Sequence, residues 1–316
     1  MKPEPSNLLA ALLMALTATL VARPPNVLIV INDDQTWLEC GAYGKSSVPT
    51  PHFDRVAKDG VLFRHGYCSA PSCAPARAAL LTGRNFWELE QGAIIQAWLP
   101  ARFATLPERL TAAGYHAGYT GKGWGPGVKE PTGQRDDPAG KAWNTQRVKA
   151  PRKGISPVDY AANFKEFLAA KPKDSPFYFW AGLTEPHAPW GPDNHKEIGV
   201  YLKDLKLPEF LPDTKGVRIN RANYLYEVQH ADRTLGALSA KATVLLCDGV
   251  KPSVVNAFTL LITSPVRERW KEFNKLLDAR RLFFPVFSRA EMGDMLRSCY
   301  PQLLTDVASG GEPGVW

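Results

Sequence analysis

The sequence predicts an α/β fold. Two runs, Asn26–Ile31 (NVLIVI) and Pro176–Leu183 (PFYFWAGL), are continuously apolar instead of alternating, as in strands buried on both faces. Helical segments alternate with strand segments along the chain, the order that builds a sheet from strand–helix units. At 316 residues and 45% hydrophobic content, the chain is long enough for one large domain or two ordinary ones with an ample core.

The elements follow in order. Met1–Ala22 carries Lys2, an apolar run from Leu8 to Leu20 and a small residue at Ala22. It reads as a secretory signal peptide, with an uncleaved anchor as the alternative although the run is short for a membrane span. The first strand ends in Asn32-Asp33-Asp34. Adjacent carboxylates at the carboxyl end of a strand suit a hard cation such as calcium, but taken alone they are commoner in a solvated turn. Thr50–Gly60 reads as a short helix closed by glycine, and Val61–Phe63 as a strand. From Cys73 the chain reads as a helix, with Pro75 in its first turn, good helix formers at Ala78–Leu81 and Gly83 placed to end it. Chemistry at Cys73 would sit where free N–H groups and the helix dipole favour an anion.

Thr105–Gly114 is a helix opened by a capping box, Thr105 to Glu108, and His116–Thr120 the next strand. Glu130–Ala150 is rich in Pro, Gly and charge and reads as a long surface loop. Asp159–Ala170 and Asn220–Leu238 have amphipathic spacing; in the second, Tyr224, Val228, Ala231, Leu235 and Leu238 form the apolar stripe and Asp232 is read as a surface residue. Lys and Arg exceed Asp and Glu by 38 − 31 = 7, which suits an acidic ligand, but no basic block resembles a nucleic-acid arm. The five cysteines form neither a disulfide framework nor a zinc spacing.

Cys73-Ala74-Pro75-Ala76-Arg77, followed by Leu81-Thr82-Gly83-Arg84, resembles the sulfatase signature C-x-P-x-R…L-T-G-R, with Ala76 where a small hydroxyl residue is usual. The opening N-V-L-x-I-x-x-D-D, the block Gly121-Lys122-Gly123-Trp124 and the strand end Pro186-His187-Ala188-Pro189 are similar to further sulfatase blocks. The resemblance implies a three-layer α/β/α sandwich, alkaline-phosphatase-like, with a large and mostly parallel mixed sheet. It implies that Cys73 is converted to formylglycine by a formylglycine-generating enzyme. Asp33 and Asp34, with the modified Cys73, would bind calcium or another divalent cation. Arg77 would hold the nucleophile's oxygen, Lys122 would contact it and the sulfate, and His187 would donate to the sulfate and protonate the leaving group. The substrate would be a sulfate ester or sulfamate, such as a sulfated carbohydrate. T-G-K-G-W-G-P-G looks closest to sulfamidase-like members.

Two departures matter. Trp124 stands where many sulfatases have a histidine that helps activate the nucleophile. Beyond Leu238 the family pattern breaks down: Ala242–Gly249 offers Asp248 as a weak candidate for the missing cation ligand, Glu268–Arg281 reads as helical, and no further block is placed. The expected organisation is therefore a signal peptide at 1–22, a sulfatase domain at 23–238 and a divergent or truncated tail at 239–316. The protein is expected to be secreted or periplasmic, free of the membrane after signal removal. An inactive remnant that binds sulfated glycan weakly, and a phosphatase or phosphodiesterase of the same superfamily, stay open at this point.

Overall fold

The computed structural model describes residues 24–44, 46–64 and 66–240, together with the backbone of strands at 245–248 and 258–263. The expected signal peptide and the helix at Glu268–Arg281 lie outside the described residues. Strands β1 (Asn26–Ile31), β2 (Val61–Leu62), β3 (His116–Gly121), β4 (Phe177–Gly182), β5 (Leu245–Asp248) and β6 (Phe258–Thr263) form one sheet in the order β2-β5-β6-β1-β4-β3. β1, β4 and β3 are parallel neighbours, and β2 is parallel to β5. β6 runs antiparallel to both β1 and β5. Five strands therefore point one way and one the other, the mixed and mostly parallel sheet that the sulfatase resemblance implies.

The helices are α1 (Pro51–Asp59), α2 (Cys73–Thr82), α3 (Leu106–Ala112), α4 (Tyr160–Ala170) and α5 (Lys215–Ser239). β4 shows why two helical layers are needed: all six of its residues are buried. Phe177, Phe179 and Ala181 pack with Leu28 and Val30 against α1, α4 and α5, through Phe53, Val56, Phe164, Phe167, Ala231 and Leu235. Tyr178 and Trp180, which point the other way by strand alternation, pack with Ile31 against Ala74, Ala78 and Leu81 of α2. These two apolar clusters on opposite faces are the cores of a three-layer sandwich. Among the described residues, no helix is long and apolar enough to cross a membrane.

Local signals explain most element boundaries. The Thr105 N–H donates to Glu108 Oε2 at 2.7 Å, closing the expected capping box of α3. Asp159 caps α4 by accepting from the Ala162 N–H at 2.9 Å. Two readings need correction. Asp232 is buried, not a surface residue: from α5 it accepts the His52 N–H at 3.2 Å and the Phe53 N–H at 2.8 Å, capping α1 across the fold. Asp232→Ala is expected to cost about 1–2 kcal/mol, the scale of a lost N-cap, and urea unfolding would measure it. The Glu130–Ala150 loop is also less free than its composition suggests. Arg135 is buried in it, donating to the carbonyls of Ala101 (3.1 Å) and Phe103 (2.9 Å) and pairing with Glu108 at 2.7 Å.

Candidate active site

Three parallel strands end level with one another: Gly182 of β4 is in register with Ile31 of β1 on one side and with Gly121 of β3 on the other. The residues just past these ends converge, as expected at the carboxyl edge of an open α/β sheet. Asp33 and Asp34 follow β1, Lys122 follows β3 and His187 lies in the loop after β4. Cys73 opens α2, whose first turn faces the same edge, and the Ser72 side chain makes no capping bond there. Gly121 has φ +73°, and a Cβ on it would lie 2.2 Å from the Gly182 carbonyl oxygen. Only glycine lets the chain turn here and place Lys122.

Asp33 is fully buried and collects the contacts. Its side chain lies 3.7 Å from Cys73 Sγ and 3.4 Å from Arg77 Nη2, and it accepts a short bond from Lys122 Nζ. Lys122 Nζ is in turn 3.4 Å from Cys73 Sγ. Arg77 is 1% exposed; its Nη1 donates to the carbonyls of Lys122 (2.6 Å) and Gly123 (3.2 Å). Burial, then the negative charge of Asp33, push the Cys73 thiol above its ordinary value. Burial and Asp33 likewise push the Asp34 carboxyl up. Asp34 also sits in the left-handed region at φ 65°, which an aspartate tolerates better than most residues. Its Oδ2 is 3.5 Å from His187 Nε2.

All six residues expected at the site thus lie at one edge: Asp33, Asp34, Cys73, Arg77, Lys122 and His187. Arg77 differs in detail from its expected position, because its Nη groups engage Asp33 and two backbone carbonyls. Trp124 is buried in the core and donates to the Val128 carbonyl at 3.2 Å, so it cannot stand in for a histidine. The ligand atoms of Asp33, Cys73 and His187 lie within 4.8 Å of one another. Asp33 and Asp34 offer the oxygens a hard cation needs, the repulsion between them would be relieved by one, and the adjacent Asn32 Oδ1 is buried without a hydrogen-bond partner. The donor set fits a divalent cation.

Three buried residues carry no expected role, and the first two of them bond to residues of the site. Trp180 Nε1 donates to the Lys122 carbonyl at 3.3 Å. Glu185 is fully buried: its Oε1 accepts the Ser156 N–H at 2.7 Å, its Oε2 the Tyr160 hydroxyl at 3.1 Å, and its carbonyl the Asp33 N–H at 3.0 Å. Glu227 of α5 is fully buried as well. The signal that could have found it is an acidic residue beside an apolar stripe, three positions after Tyr224 and four before Ala231.

Comparison with known proteins bears on the family and the fold. The sulfatase family profile matches residues 25–243. The N-acetylgalactosamine-6-sulfatase of Canis lupus familiaris is 39% identical over 112 residues, covering 32% of this chain and 22% of that protein. Human N-sulphoglucosamine sulphohydrolase is 26% identical over 246 residues, covering 68% of this chain and 46% of that protein. The chain thus spans less than half the length of these curated relatives. A structure from work on the metabolism of multiple glycosaminoglycans by Bacteroides thetaiotaomicron superposes with a TM-score of 0.55 at 16% identity, covering 76% of this chain and 67% of that one. At that identity the likeness concerns the fold, and it is the profile match over most of the chain that decides membership: the chain belongs to the sulfatase family.

Proposed function

We propose that this chain hydrolyses a sulfate ester or sulfamate on a carbohydrate, with Cys73 as the site of the nucleophile. The observation that carries this reading is the cysteine at a helix N-terminus with an ammonium group 3.4 Å away and a buried carboxylate 3.7 Å away. Once a formylglycine-generating enzyme has converted Cys73, the hydrated aldehyde supplies an oxygen nucleophile toward sulfur, and Sγ stands where the aldehyde oxygen would be. A divalent cation held by Asp33 and Asp34, with modified Cys73, supplies positive charge for the sulfate oxygens.

The chain's own groups do the rest. Lys122 Nζ holds the nucleophile's oxygen and offsets negative charge on the sulfate. Arg77 fixes the Lys122 turn through its carbonyl and orients Asp33. His187, partly exposed, is the acid that protonates the leaving oxygen or nitrogen, work suited to imidazole. The names of the curated relatives, which act on sulfated galactosamine and glucosamine, favour an amino-sugar substrate. Export through residues 1–22 belongs to the same reading.

A second reading, an inactive remnant, is favoured by the small oxygen set of two carboxylates. Asp248 ends β5, which runs parallel to β1 two places away across β6, so its backbone reaches the same sheet edge. It is the first residue to vary in the search for a further ligand. The deciding experiment is calcium-dependent sulfate release, from aryl sulfate and N-sulfoglucosamine, by protein verified as modified at Cys73. Release is expected; its absence from fully modified protein would favour the remnant.

A further inference from the structure

Behind the His187 loop lies a second acidic centre with no part in the chemistry above. Glu227 is fully buried on α5, and neither carboxylate oxygen makes a well-formed hydrogen bond, although the Gly191 amide acts weakly on it. Three segments meet at it. Gly154 adopts φ +93°, and a Cβ there would fall 2.5 Å from Glu227 Oε1, 2.7 Å from the Gly191 nitrogen and 3.3 Å from the Pro189 carbonyl oxygen. Only glycine leaves room at this point, so the loop at 152–156, the loop at 186–194 and α5 are packed to contact. α5 also holds the second loop at neighbouring positions. Asn223, one turn before Glu227, accepts the His195 N–H at 2.7 Å and donates to the Pro192 carbonyl at 3.3 Å. Tyr224 packs edge-on to Trp190 at 5.4 Å, and Trp190 Nε1 donates to the Pro186 carbonyl at 2.7 Å.

The charges around Glu227 do not favour its ionisation. Among the described residues, Glu185 is the charged group that acts on it. From the two loops, Gly154 packs against its Oε1 and the Gly191 amide acts on it. On α5, the neighbours one turn either side are Asn223, Tyr224, His230 and Ala231; burial pushes His230 down to about 4, so it is neutral at pH 7–9. Burial first, and then Glu185, push the Glu227 carboxyl up to about 8, with the Gly191 amide offsetting part.

We propose that Glu227 is a positioning residue for His187: uncharged, it seats the 186–194 loop against Gly154, and ionising it loosens that loop. The link to His187 rests on the reading of His187 as the acid; the seating of the loop does not. The sign is fixed by the direction of the shift. A carboxyl raised from 4.5 to about 8 on folding stabilises the folded loop when protonated, and that support fades from pH 4.5 upward and is gone above about 8.

The test is amide hydrogen exchange on the whole chain, expressed as protection factors for His187, Asn194 and His195, compared with β4 amides. Between pH 7 and 9 loop protection is expected to fall about tenfold in the wild type, as the neutral fraction does. Glu227→Gln, which keeps an uncharged group of the same shape, is expected to hold protection within about twofold. Equal falls in both proteins, or no fall in the wild type, would overturn the proposal. Should Glu227→Gln not fold, the Glu227 carboxyl carbon followed by NMR in the wild type decides: titration near 8 supports the proposal and titration near 4.5 sinks it. In mature enzyme that turns over, kcat is expected to fall on the alkaline side with KM unchanged, and Glu227→Gln to flatten that limb. Absence of any turnover would count against the proposed function, while exchange would still judge the loop.

Discussion

Cys73→Ala is expected to abolish sulfate release, by on the order of 10⁴-fold or more, because it removes the group on which the nucleophile is made. The change should leave the fold intact. Cys73 is a small buried residue at the start of α2, and alanine is a better helix former in a helix whose next residues are already Ala74 and Ala76. Far-UV circular dichroism and melting temperature should match the parent while released sulfate drops to background. Cys73→Ser separates the readings further. A hydroxyl in place of the thiol still cannot become the aldehyde without the maturation enzyme accepting serine, so turnover near background is again expected. Undiminished sulfate release from verified Cys73→Ala protein would remove Cys73 from the mechanism altogether.

Arg77→Ala is expected to act mainly on stability. The guanidinium is 1% exposed and bonds two carbonyls as well as Asp33, which is itself fully buried. Removing it strands a buried carboxylate with Lys122 as its remaining cation, takes a donor from the Gly123 carbonyl and leaves the Lys122 carbonyl to the Trp180 indole N–H. Breaking a buried pair in this way costs about 3–5 kcal/mol. At roughly 2–4 °C per kcal/mol for a chain of this size, the melting temperature should fall by about 10 °C. Arg77→Lys should recover only part of this, since an ammonium cannot reach all three acceptors from one planar fork. Differential scanning calorimetry checks both variants. A loss below about 1 kcal/mol for Arg77→Ala would show that desolvating the guanidinium offsets what its bonds contribute.

What was legible in the sequence was what local chemistry decides. The start of α2 at Cys73 and its end at Gly83 follow from Pro75, the alanine run and a glycine in the left-handed region. β1 and β4 could be recognised because strands covered on both faces leave no polar alternation. The positions of Asp33, Cys73, Lys122 and His187 followed from motif spacing, and they do converge. The start of α5 was placed five residues late, at Asn220 instead of Lys215, because its first turn is polar and is held by Thr214, which accepts the Val217 N–H at 3.3 Å. β6 was not foreseen. Its run FTLLIT is apolar, but only pairing with β1 makes it a sheet neighbour, and that pairing joins residues more than two hundred positions apart. Asp232 and Glu227 escaped for the same reason: a carboxylate on a helix shows its role only when the partner element, α1 or the His187 loop, has packed against it.

The strand order has one more consequence. Imagine the chain cut at the exposed residues 131–134. The first piece would own β1, β2 and β3, and the second β4, β5 and β6. Across the sheet the pieces would then alternate, with β2 from the first, β5 and β6 from the second, β1 from the first, β4 from the second and β3 from the first. Neither piece could leave without breaking ladders on both sides of β1 and β4. Lys122 and His187 would belong to different molecules yet stay in place, because Gly121 and Gly182 remain in register. The sheet interlocks like clasped fingers, so the cluster at the strand ends is a property of the weave and would outlast the continuity of the thread.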